Sequence, residues 1–337
     1  MKCGVVGATG YLGAELLRLL ADHPYFEVAA AQADSTAGSA IGEIYPALGR
    51  AYPELVIGGL DPAALEQLDA VFVALPSGTS QKVVAALAGR VRLVVDLGAD
   101  FRLQDTAAYP KWYGWEHSVP ELLPSVVYGL PELYRQQLVG AGLVAAPGCY
   151  VTAAAIGLRP LVAGGFLQTE GIIVDGVSGT SGAGKSPSPN LHHALANERV
   201  VAYGVLDHRH TPEMEQVIGA SVLFTPHLAP MTRGVLATCY ARPARPVTTD
   251  SVLAALAEAY GGEPFVNVTA GLPSTADAYG SNVVHVTARA DDRTGWVIVL
   301  SAIDNLVKGG SGQAIQAANV ALGLEETSGL PRAGLSP

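Results

Sequence analysis

Residues 2–13 read Lys2-Cys3-Gly4-Val5-Val6-Gly7-Ala8-Thr9-Gly10-Tyr11-Leu12-Gly13, and an apolar helical pattern follows over residues 14–21. The stretch therefore predicts a short buried strand, a glycine loop and a helix. Together these form a phosphate-binding βα unit, in which the helix N-terminus faces a dinucleotide pyrophosphate. The glycine spacing is GxxGxxG, not GxGxxG, and glycines that serve only a tight turn would give the same pattern. Because the unit opens an alternating β/α pattern, a dinucleotide-binding domain is favoured.

Composition limits the classes of function that this chain can have. It has 337 residues, of which 49% are hydrophobic, so it can form two domains with substantial cores. The formal charge of -10 argues against a nucleic-acid surface but permits a local pocket for a small anion. No apolar run approaches the roughly 20 residues that cross a bilayer, and the amino terminus lacks a signal-peptide layout. We therefore expect a cytoplasmic protein with neither nucleic acid nor membrane as partner.

The pattern of predicted strands and helices changes near the middle of the chain. Buried strands are predicted at 26–32, 68–75, 92–97 and 142–146, and the aromatic-rich segment 112–128 is expected to be an ordered surface excursion. Beyond residue 149 the strands are longer and alternate, which favours a mixed or antiparallel sheet. The predicted fold is α/β: a Rossmann-type dinucleotide-binding domain followed by an α+β substrate and dimerisation domain with a mixed sheet. The first domain is assigned residues 1–148 and 305–337, with the helical run 305–322 packing back on it, and the second domain is assigned 149–304.

The end of the second predicted strand bears on the choice of nucleotide. Asp34 lies about 20 residues past the glycines, where a carboxylate usually binds the adenosine ribose of NAD. Ser35, Thr36 and the Gly38 backbone could instead hold the 2′-phosphate of NADP. A solvated loop carboxylate is a third interpretation of Asp34, so these residues leave NAD and NADP both open.

Cys149 is the candidate nucleophile. It lies in Ala146-Pro147-Gly148-Cys149-Tyr150, after a strand-like run and directly before an apolar helical run. A thiol at a helix N-terminus has a lowered pKa, which favours the reactive thiolate. Cys3 and Cys239 lie in apolar strand patterns and are expected to be buried and inert. Three widely spaced cysteines without a CxxC pair predict neither a disulfide framework nor a structural zinc site.

The segment His208-Arg209-His210-Thr211-Pro212-Glu213 supplies a candidate acid/base. A cysteine nucleophile needs a proton-transferring partner, and histidine titrates in the right range. His210 is preferred because Thr211-Pro212-Glu213 would start a helix at that point, and His208 remains the alternative. A surface histidine pair is also possible. No carboxylate or cysteine falls at a familiar ligand spacing, so no metal is predicted.

Two further motifs have more than one interpretation. Arg102 follows a strand end and is a candidate anion clamp, or else a surface arginine paired with Asp100 or Asp105. The run Gly179-Thr180-Ser181-Gly182-Ala183-Gly184-Lys185-Ser186 matches the P-loop pattern GxxxxGK[ST]. Pro187 and Pro189 make the required helix improbable, so a glycine-rich loop lying against another ligand is preferred to ATP binding.

Six segments together resemble one family, N-acetyl-gamma-glutamyl-phosphate reductase, along essentially the whole chain. They are the glycine loop, Asp100-Phe101-Arg102-Leu103, Ala146-Pro147-Gly148-Cys149-Tyr150, the His208 segment, Pro230-Met231-Thr232-Arg233-Gly234 and Asp304-Asn305-Leu306-Val307-Lys308-Gly309. The family is a branch of the aspartate-semialdehyde dehydrogenase type. The resemblance implies the NADPH-dependent reduction of arginine biosynthesis. Cys149 would attack an acyl phosphate to give a thioester, hydride transfer would yield N-acetylglutamate semialdehyde, and His210 would exchange protons.

The resemblance also implies a set of binding residues and a homo-oligomer, either a dimer or a tetramer. Arg102, Arg233 and His208 would bind the substrate. The cofactor contacts would be Gly7, Thr9, Gly10, Tyr11, Leu12, Gly13, Ser35, Thr36, Pro76, Ser77, Gly182, Ala183 and Asn305. Many relatives carry arginine at the position of Asp34, so NADP(H) is the first expectation here and NAD(H) stays possible.

Three rival functions follow from the same features. A related reductase of lysine biosynthesis acts on a carrier-bound aminoadipyl phosphate, but its cysteine resembles a GAGC context and not the PGC found here. Aspartate-semialdehyde dehydrogenase itself is disfavoured by the His208 and Asp304 segments. A nonenzymatic NADP-sensing regulatory protein would have no use for a reactive thiol.

Overall fold

The computed structural model describes residues 1–335. The strands are β1 (Lys2–Val6), β2 (Glu27–Gln32), β3 (Ala70–Val73), β4 (Leu93–Asp96), β5 (Val127–Tyr128), β6 (Leu143–Ala145), β7 (Ile172–Gly179), β8 (Val201–Ala202), β9 (Val222–Ala229), β10 (Val235–Ala241), β11 (Val266–Val268), β12 (Val284–Asp291) and β13 (Trp296–Ile303). The α-helices are α1 (Tyr11–Leu20), α2 (Ile41–Ile44), α3 (Pro46–Gly49), α4 (Ser80–Leu87), α5 (Ala108–Tyr113), α6 (Pro131–Leu138), α7 (Cys149–Ala163), α8 (His193–Ala196), α9 (His210–Ile218), α10 (Thr249–Tyr260), α11 (Thr275–Ala278) and α12 (Gly312–Leu322).

The described chain divides into two compact units. Unit 1 comprises Met1–Pro147 and Gly310–Leu330, and unit 2 comprises Gly148–Gly309 and residues 331–335. Residues 336 and 337, which the sequence analysis assigns to the first domain, lie outside the described residues. Among residues 1–335, no helix combines the length and the apolar character that crossing a membrane requires.

Unit 1 is built on a six-stranded parallel sheet in the order β2-β1-β3-β4-β6-β5. Strands β3 and β4 are buried at every position, as expected for a parallel sheet covered on both faces. The closing helix α12 belongs to this unit and is buried along its whole length. A Rossmann-type sheet with a dinucleotide loop after β1 was predicted from sequence, and this fold class is confirmed.

The predicted surface excursion over 112–128 is wrong in part. Leu123 and Val126 are buried within the hydrophobic core of unit 1, and Trp115 packs against it. Neighbouring Tyr109 is fully buried and stacks on Trp115, with ring centroids 5.1 Å apart. The aperiodic aromatics therefore cover one side of the sheet, where large apolar surfaces stabilise most strongly.

Unit 2 is built on a seven-stranded mixed sheet in the order β11-β12-β13-β10-β7-β9-β8. Strands β7 and β9 are parallel, as are β11 and β12, and the other pairs are antiparallel. Helix α7 packs against this sheet, and its residues from Tyr150 to Leu158 are buried. Pro160 lies inside the last turns of α7.

The run 305–322 is not one α-helix from its start. Residues Val307–Ser311 form a π-helical turn, and α12 begins at Gly312. The buried Asp304 carboxylate accepts N–H bonds from Leu306 and Val307, and Gly309 N–H donates to the Asp304 carbonyl at 2.8 Å. This wider turn places Gly309 differently from an α-helix, and such turns occur often at functional sites.

Candidate active site

Cys149 is the first residue of α7, and Gly148 is its N-cap with φ -70° and ψ 143°. The Cys149 side chain is partly exposed, whereas Cys3 and Cys239 are buried. Burial raises the pKa of the Cys3 thiol to about 12 and also raises that of Cys239, so neither is a thiolate near neutral pH. The N-terminus of α7 acts in the opposite direction on Cys149 by favouring the thiolate.

Two glycines allow other groups to approach Cys149 and the residue before it. A methyl group placed on Gly148 would lie 2.4 Å from His210 Nε2. A methyl group placed on Gly309 would lie 2.6 Å from Cys149 Cβ. The His210 imidazole therefore rests directly on Gly148, and the π-helical turn rests directly on Cys149. The structure thus brings the predicted nucleophile and the predicted acid/base to the same short segment of chain.

His208 lies in an aromatic cluster next to His210. Its ring makes edge contacts with Tyr150, Tyr203, His210 and Phe224. The His210 backbone N–H donates to His208 Nδ1 at 3.1 Å, so the neutral ring carries its proton on Nε2. Burial, assisted by the nearby Arg209 charge, lowers the pKa of His208 to about 4. At neutral pH the neutral His208 ring therefore carries a hydrogen-bond donor at Nε2.

Glu213 is a member of this site to which the sequence analysis assigned no role. Its side chain is fully buried, and Oε1 accepts the Gly148 backbone N–H at 2.9 Å. The signal was present in the segment that carries both histidines, because Glu213 lies one helical turn after His210.

The predicted cofactor residues Asn305, Gly182 and Ala183 lie close together in unit 2. Asn305 Oδ1 accepts the Gly234 N–H at 2.7 Å, and Asn305 Nδ2 donates to Ser181 Oγ at 2.9 Å. Gly182 and Ala183 belong to the 3₁₀ turn Thr180–Ala183 that contains Ser181. Asn305 therefore joins this glycine-rich turn to Gly234, which directly follows Arg233.

Arg233 is held by a buried carboxylate. Its Nη1 lies 3.5 Å from Asp304 Oδ2, and Asp304 is fully buried. The guanidinium is thereby kept near the π-helical turn that contacts Cys149. Its side chain remains one-fifth exposed, which leaves the cation accessible to an anion.

The glycine-rich turn near Arg233 lacks the geometry of a P-loop. Strand β7 ends at Gly179, and in this described stretch no α-helix begins at Lys185 or Ser186. The structure therefore agrees with the preference against ATP binding.

The loop after β1 in unit 1 is closely packed. The N–H groups of Gly7 and Ala8 both donate to the Gln32 carbonyl, and Thr9 Oγ1 lies 3.1 Å from Thr36 Oγ1. A methyl group on Gly13 would lie 2.1 Å from the Gly7 carbonyl oxygen, so no other residue fits there. The remaining predicted cofactor residues of this unit lie on the same loop, in the first turn of α1, or on the loops after β2 and β3: Gly10, Tyr11, Leu12, Ser35, Pro76 and Ser77. Asp34 and Ser35 are both exposed beside Thr36.

Arg102 is buried, so its interpretation as a surface arginine is wrong. Its Nε donates to the Ala146 carbonyl at 2.8 Å, and its Nη2 donates to the Leu97 carbonyl at 2.9 Å. These bonds tie the ends of β4 and β6 together immediately before Pro147. An arginine in this position brings a positive charge to the carboxyl edge of the sheet, where open α/β sheets bind ligands.

Two buried carboxylates near Arg102 were not predicted as a pair. Asp100 accepts the N–H groups of Gly78 and Ser80, and Asp96 accepts from Ser80 Oγ and the Gly98 N–H. Burial, and secondly the charge of Asp100, raises the pKa of Asp96 to about 7. The pair fixes the start of α4 and therefore the loop that contains Ser77. Within residues 1–335, no cluster of three or more potential metal-ligating side chains was found.

Comparison with known proteins identifies the family. A model of the semialdehyde dehydrogenase NAD-binding domain matches residues 2–141, and one of the semialdehyde dehydrogenase dimerisation domain matches residues 149–305. N-acetyl-gamma-glutamyl-phosphate reductases from Desulforudis audaxviator and Symbiobacterium thermophilum are each 47% identical to the chain. The first match covers 100% of both chains, and the second covers 99% of this chain and 98% of its relative.

Solved structures share the fold at low sequence identity. Aspartate semialdehyde dehydrogenase II from Vibrio cholerae, complexed with ASA, aligns with a TM-score of 0.72 at 16% identity, over 95% of this chain and 97% of that one. Aspartate semialdehyde dehydrogenase with NADP from Candida albicans aligns with a TM-score of 0.71 at 18% identity, over the same shares. The full-length matches at 47% identity show that the chain belongs to the N-acetyl-gamma-glutamyl-phosphate reductase family of semialdehyde dehydrogenases.

Proposed function

We propose that the protein reduces N-acetyl-L-glutamyl 5-phosphate to N-acetyl-L-glutamate 5-semialdehyde with NADPH and releases phosphate, as a step of arginine biosynthesis. The observation that carries the proposal is the pairing of Cys149, at the N-terminus of α7, with His210 packed on Gly148. The full-length relatives carry the name of this reaction, which favours it over the carrier-dependent reaction of lysine biosynthesis.

In the proposed mechanism, Cys149 is the covalent catalyst. Its thiolate attacks the acyl carbon, the C–O bond to phosphate breaks, and an S-acyl thioester forms on Cys149. A nicotinamide held by Asn305 and the turn that contains Gly182 would supply the hydride that reduces this thioester. The resulting thiohemiacetal releases the aldehyde and regenerates the Cys149 sulfur. His210 gives a proton to the substrate oxygen and withdraws it as the carbon–sulfur bond breaks.

The geometry of His208 supports assigning the acid/base role to His210. Because His208 Nδ1 accepts the His210 N–H, its Nε2–H is the group left to face a ligand. In this proposal, His208 donates a hydrogen bond to a substrate oxygen and does not exchange protons. Arg102 and Arg233 are the proposed cations for the phosphate and the carboxylate of the substrate.

NADP(H) is the proposed cofactor, bound by the residues that the resemblance implies in the glycine loop and around Thr36, Ser77, Gly182 and Asn305. The loop fits a dinucleotide, because Gly13 lets α1 begin against the Gly7 carbonyl. The hydroxyls of Ser35 and Thr36 can donate to a 2′-phosphate. The exposed Asp34 carboxylate would repel that phosphate, so NAD(H) is the alternative cofactor. A comparison of kcat/KM for NADPH and NADH would distinguish the two.

Unit 1 is the proposed cofactor domain, and unit 2 is the proposed substrate and oligomerisation domain. One face of the seven-stranded sheet carries half-exposed apolar side chains at Ile173, Val177, Leu236 and Ile298. We propose that this face pairs with a second copy in a dimer or tetramer. Leu236→Glu should then dissociate the oligomer, as measured by light scattering after size exclusion. A cytoplasmic location also remains a prediction, testable by cell fractionation.

The reverse reaction tests the proposed function. N-acetylglutamate semialdehyde, phosphate and NADP should give a phosphate-dependent rise in nicotinamide absorbance. The signal should vanish in Cys149→Ser and persist in the matched variant Cys239→Ser, because Cys239 is a buried strand residue. An absent or phosphate-independent signal in the wild-type protein would defeat the proposal.

A further inference from the structure

Glu213 is a carboxylate buried in the protein interior. Its side chain is fully buried in unit 2. Transfer of a carboxylate from water to a protein interior costs several kcal/mol unless charge-assisted hydrogen bonds compensate for it. Glu213 lies in the first turn of α9, where the helix N-terminus favours a negative charge. The helix lowers this cost, but it does not explain why a charged side chain points inward.

The buried Glu213 side chain binds the backbone at the start of α7, the helix that begins with Cys149. Oε1 accepts the Gly148 N–H at 2.9 Å, and Gly148 directly precedes Cys149. The same glycine is covered by His210, whose Nε2 would lie 2.4 Å from a methyl group placed there. Glu213 and His210 are three residues apart and therefore neighbours on α9. One turn of α9 thus holds Gly148 through two different side chains.

We infer that Glu213 is a positioning residue that locks the first turn of α9 onto Gly148 and so fixes His210 beside Cys149. This inference rests on the proposed roles of Cys149 and His210. The hydrogen-bond acceptor is the essential part of the side chain. Without it, the Gly148 N–H loses this partner, α9 can slide along the start of α7, and the imidazole leaves its position. A displacement of about 1 Å in such a site can cost about 10²-fold in rate.

The test compares Glu213→Gln, which keeps an acceptor, with Glu213→Met, which keeps the volume and removes the acceptor. Glu215→Met is the matched control, because Glu215 on the same helix accepts the Val222 N–H at 3.0 Å. That bond also joins a glutamate carboxylate to a backbone N–H, but its donor is the first residue of β9. Turnover, the KM for NADPH, the iodoacetamide labelling rate of Cys149 and the melting temperature are measured for all four proteins.

Glu213→Met should lower kcat by about 10²-fold and leave the KM for NADPH within about twofold. Glu213→Gln should stay within about fivefold of wild-type kcat, and Glu215→Met should lose stability without losing turnover. The inference is overturned if Glu213→Met retains kcat as well as Glu215→Met does, or if Glu213→Gln is as slow as Glu213→Met. Should Glu213→Met not fold, Glu213→Ala takes its place, since water can then reach the Gly148 N–H.

The labelling rate separates this inference from the proposed function. Iodoacetamide reports on the thiol and needs no substrate, so it can be measured whichever acyl phosphate the enzyme accepts. Labelling of Cys149 should slow by about tenfold in Glu213→Met and not in Glu215→Met, because His210, which in this proposal takes up the thiol proton before giving it to the substrate oxygen, has moved. Equal labelling in the two variants would overturn the inference even if turnover with N-acetylglutamyl phosphate were never observed.

Discussion

Gly148→Ala isolates the contact between His210 and the segment before Cys149. The added methyl group would lie 2.4 Å from Nε2, 2.7 Å from Cε1 and 2.8 Å from Cδ2 of the imidazole. Ordinary contact begins at 3.4 Å, so the ring must retreat by 3.4 − 2.4 = 1.0 Å. The backbone itself is not strained, because φ -70° and ψ 143° are open to alanine. The substitution is therefore a steric displacement of His210.

A 1 Å displacement of the acid/base group predicts about a 10²-fold loss of kcat, equivalent to about 2.7 kcal/mol of barrier. Overpacking should lower the free energy of unfolding by about 1–3 kcal/mol. Steady-state turnover and urea unfolding measure the two effects separately. Gly262→Ala is the control, because a methyl group there meets nothing within 4 Å. Turnover of Gly148→Ala within about threefold of wild type would refute the close placement of His210 as a requirement for catalysis.

Three further predictions concern charge. The folded-state pKa of Asp96 is raised from 3.8 to about 7, so the folded protein binds an extra proton between these values. Stability should therefore fall by roughly 3 kcal/mol from pH 4 to pH 7 relative to Asp96→Asn, and an identical pH dependence of the free energy of unfolding in the two proteins would contradict this. The folded-state pKa of His208 is lowered from 6.5 to about 4, so the unfolded chain binds the extra proton. Stability should fall by roughly 3 kcal/mol as the pH drops from 6.5 to 4, relative to His208→Asn; an equal pH dependence of the free energy of unfolding in both proteins would disprove the lowered pKa of His208. Asp34→Arg should raise kcat/KM for NADPH over NADH by about tenfold or more, since an arginine pairs with the 2′-phosphate; an unchanged ratio would remove Asp34 from the cofactor site.

Local sequence patterns were sufficient to predict the fold class. The order of strand, glycine loop and helix at residues 2–21 is a local signal, and the longer alternating strands beyond residue 149 indicated a mixed sheet. The start of α7 was also predictable, because Pro147 and Gly148 end the preceding strand and an apolar helical run follows. These features depend on neighbouring residues, so no long-range contact had to be known.

The missed features depend on contacts between distant parts of the chain. Glu213 is 65 residues from Gly148, and the hydrogen bond that defines its place cannot be inferred from spacing. The burial of Arg102 depends on the Ala146 carbonyl, 44 residues away. The segment 112–128 lacks a period because its aromatic side chains fill gaps over the sheet and do not form one face of a helix. The π-helical turn at Val307–Ser311 arises from the buried Asp304 carboxylate, whose burial depends on the fold.

The central claim is that Cys149 carries the acyl group during the reaction. Wild-type protein is mixed with N-acetylglutamyl phosphate in the absence of NADPH, quenched in acid and analysed by peptide mass spectrometry. The account predicts a burst of about one phosphate per active site and an N-acetylglutamyl group on the peptide that contains Cys149. Cys149→Ser should show neither, whereas Cys239→Ser should show both. An unmodified Cys149 and no burst, in a protein that turns over once NADPH is added, would contradict the account.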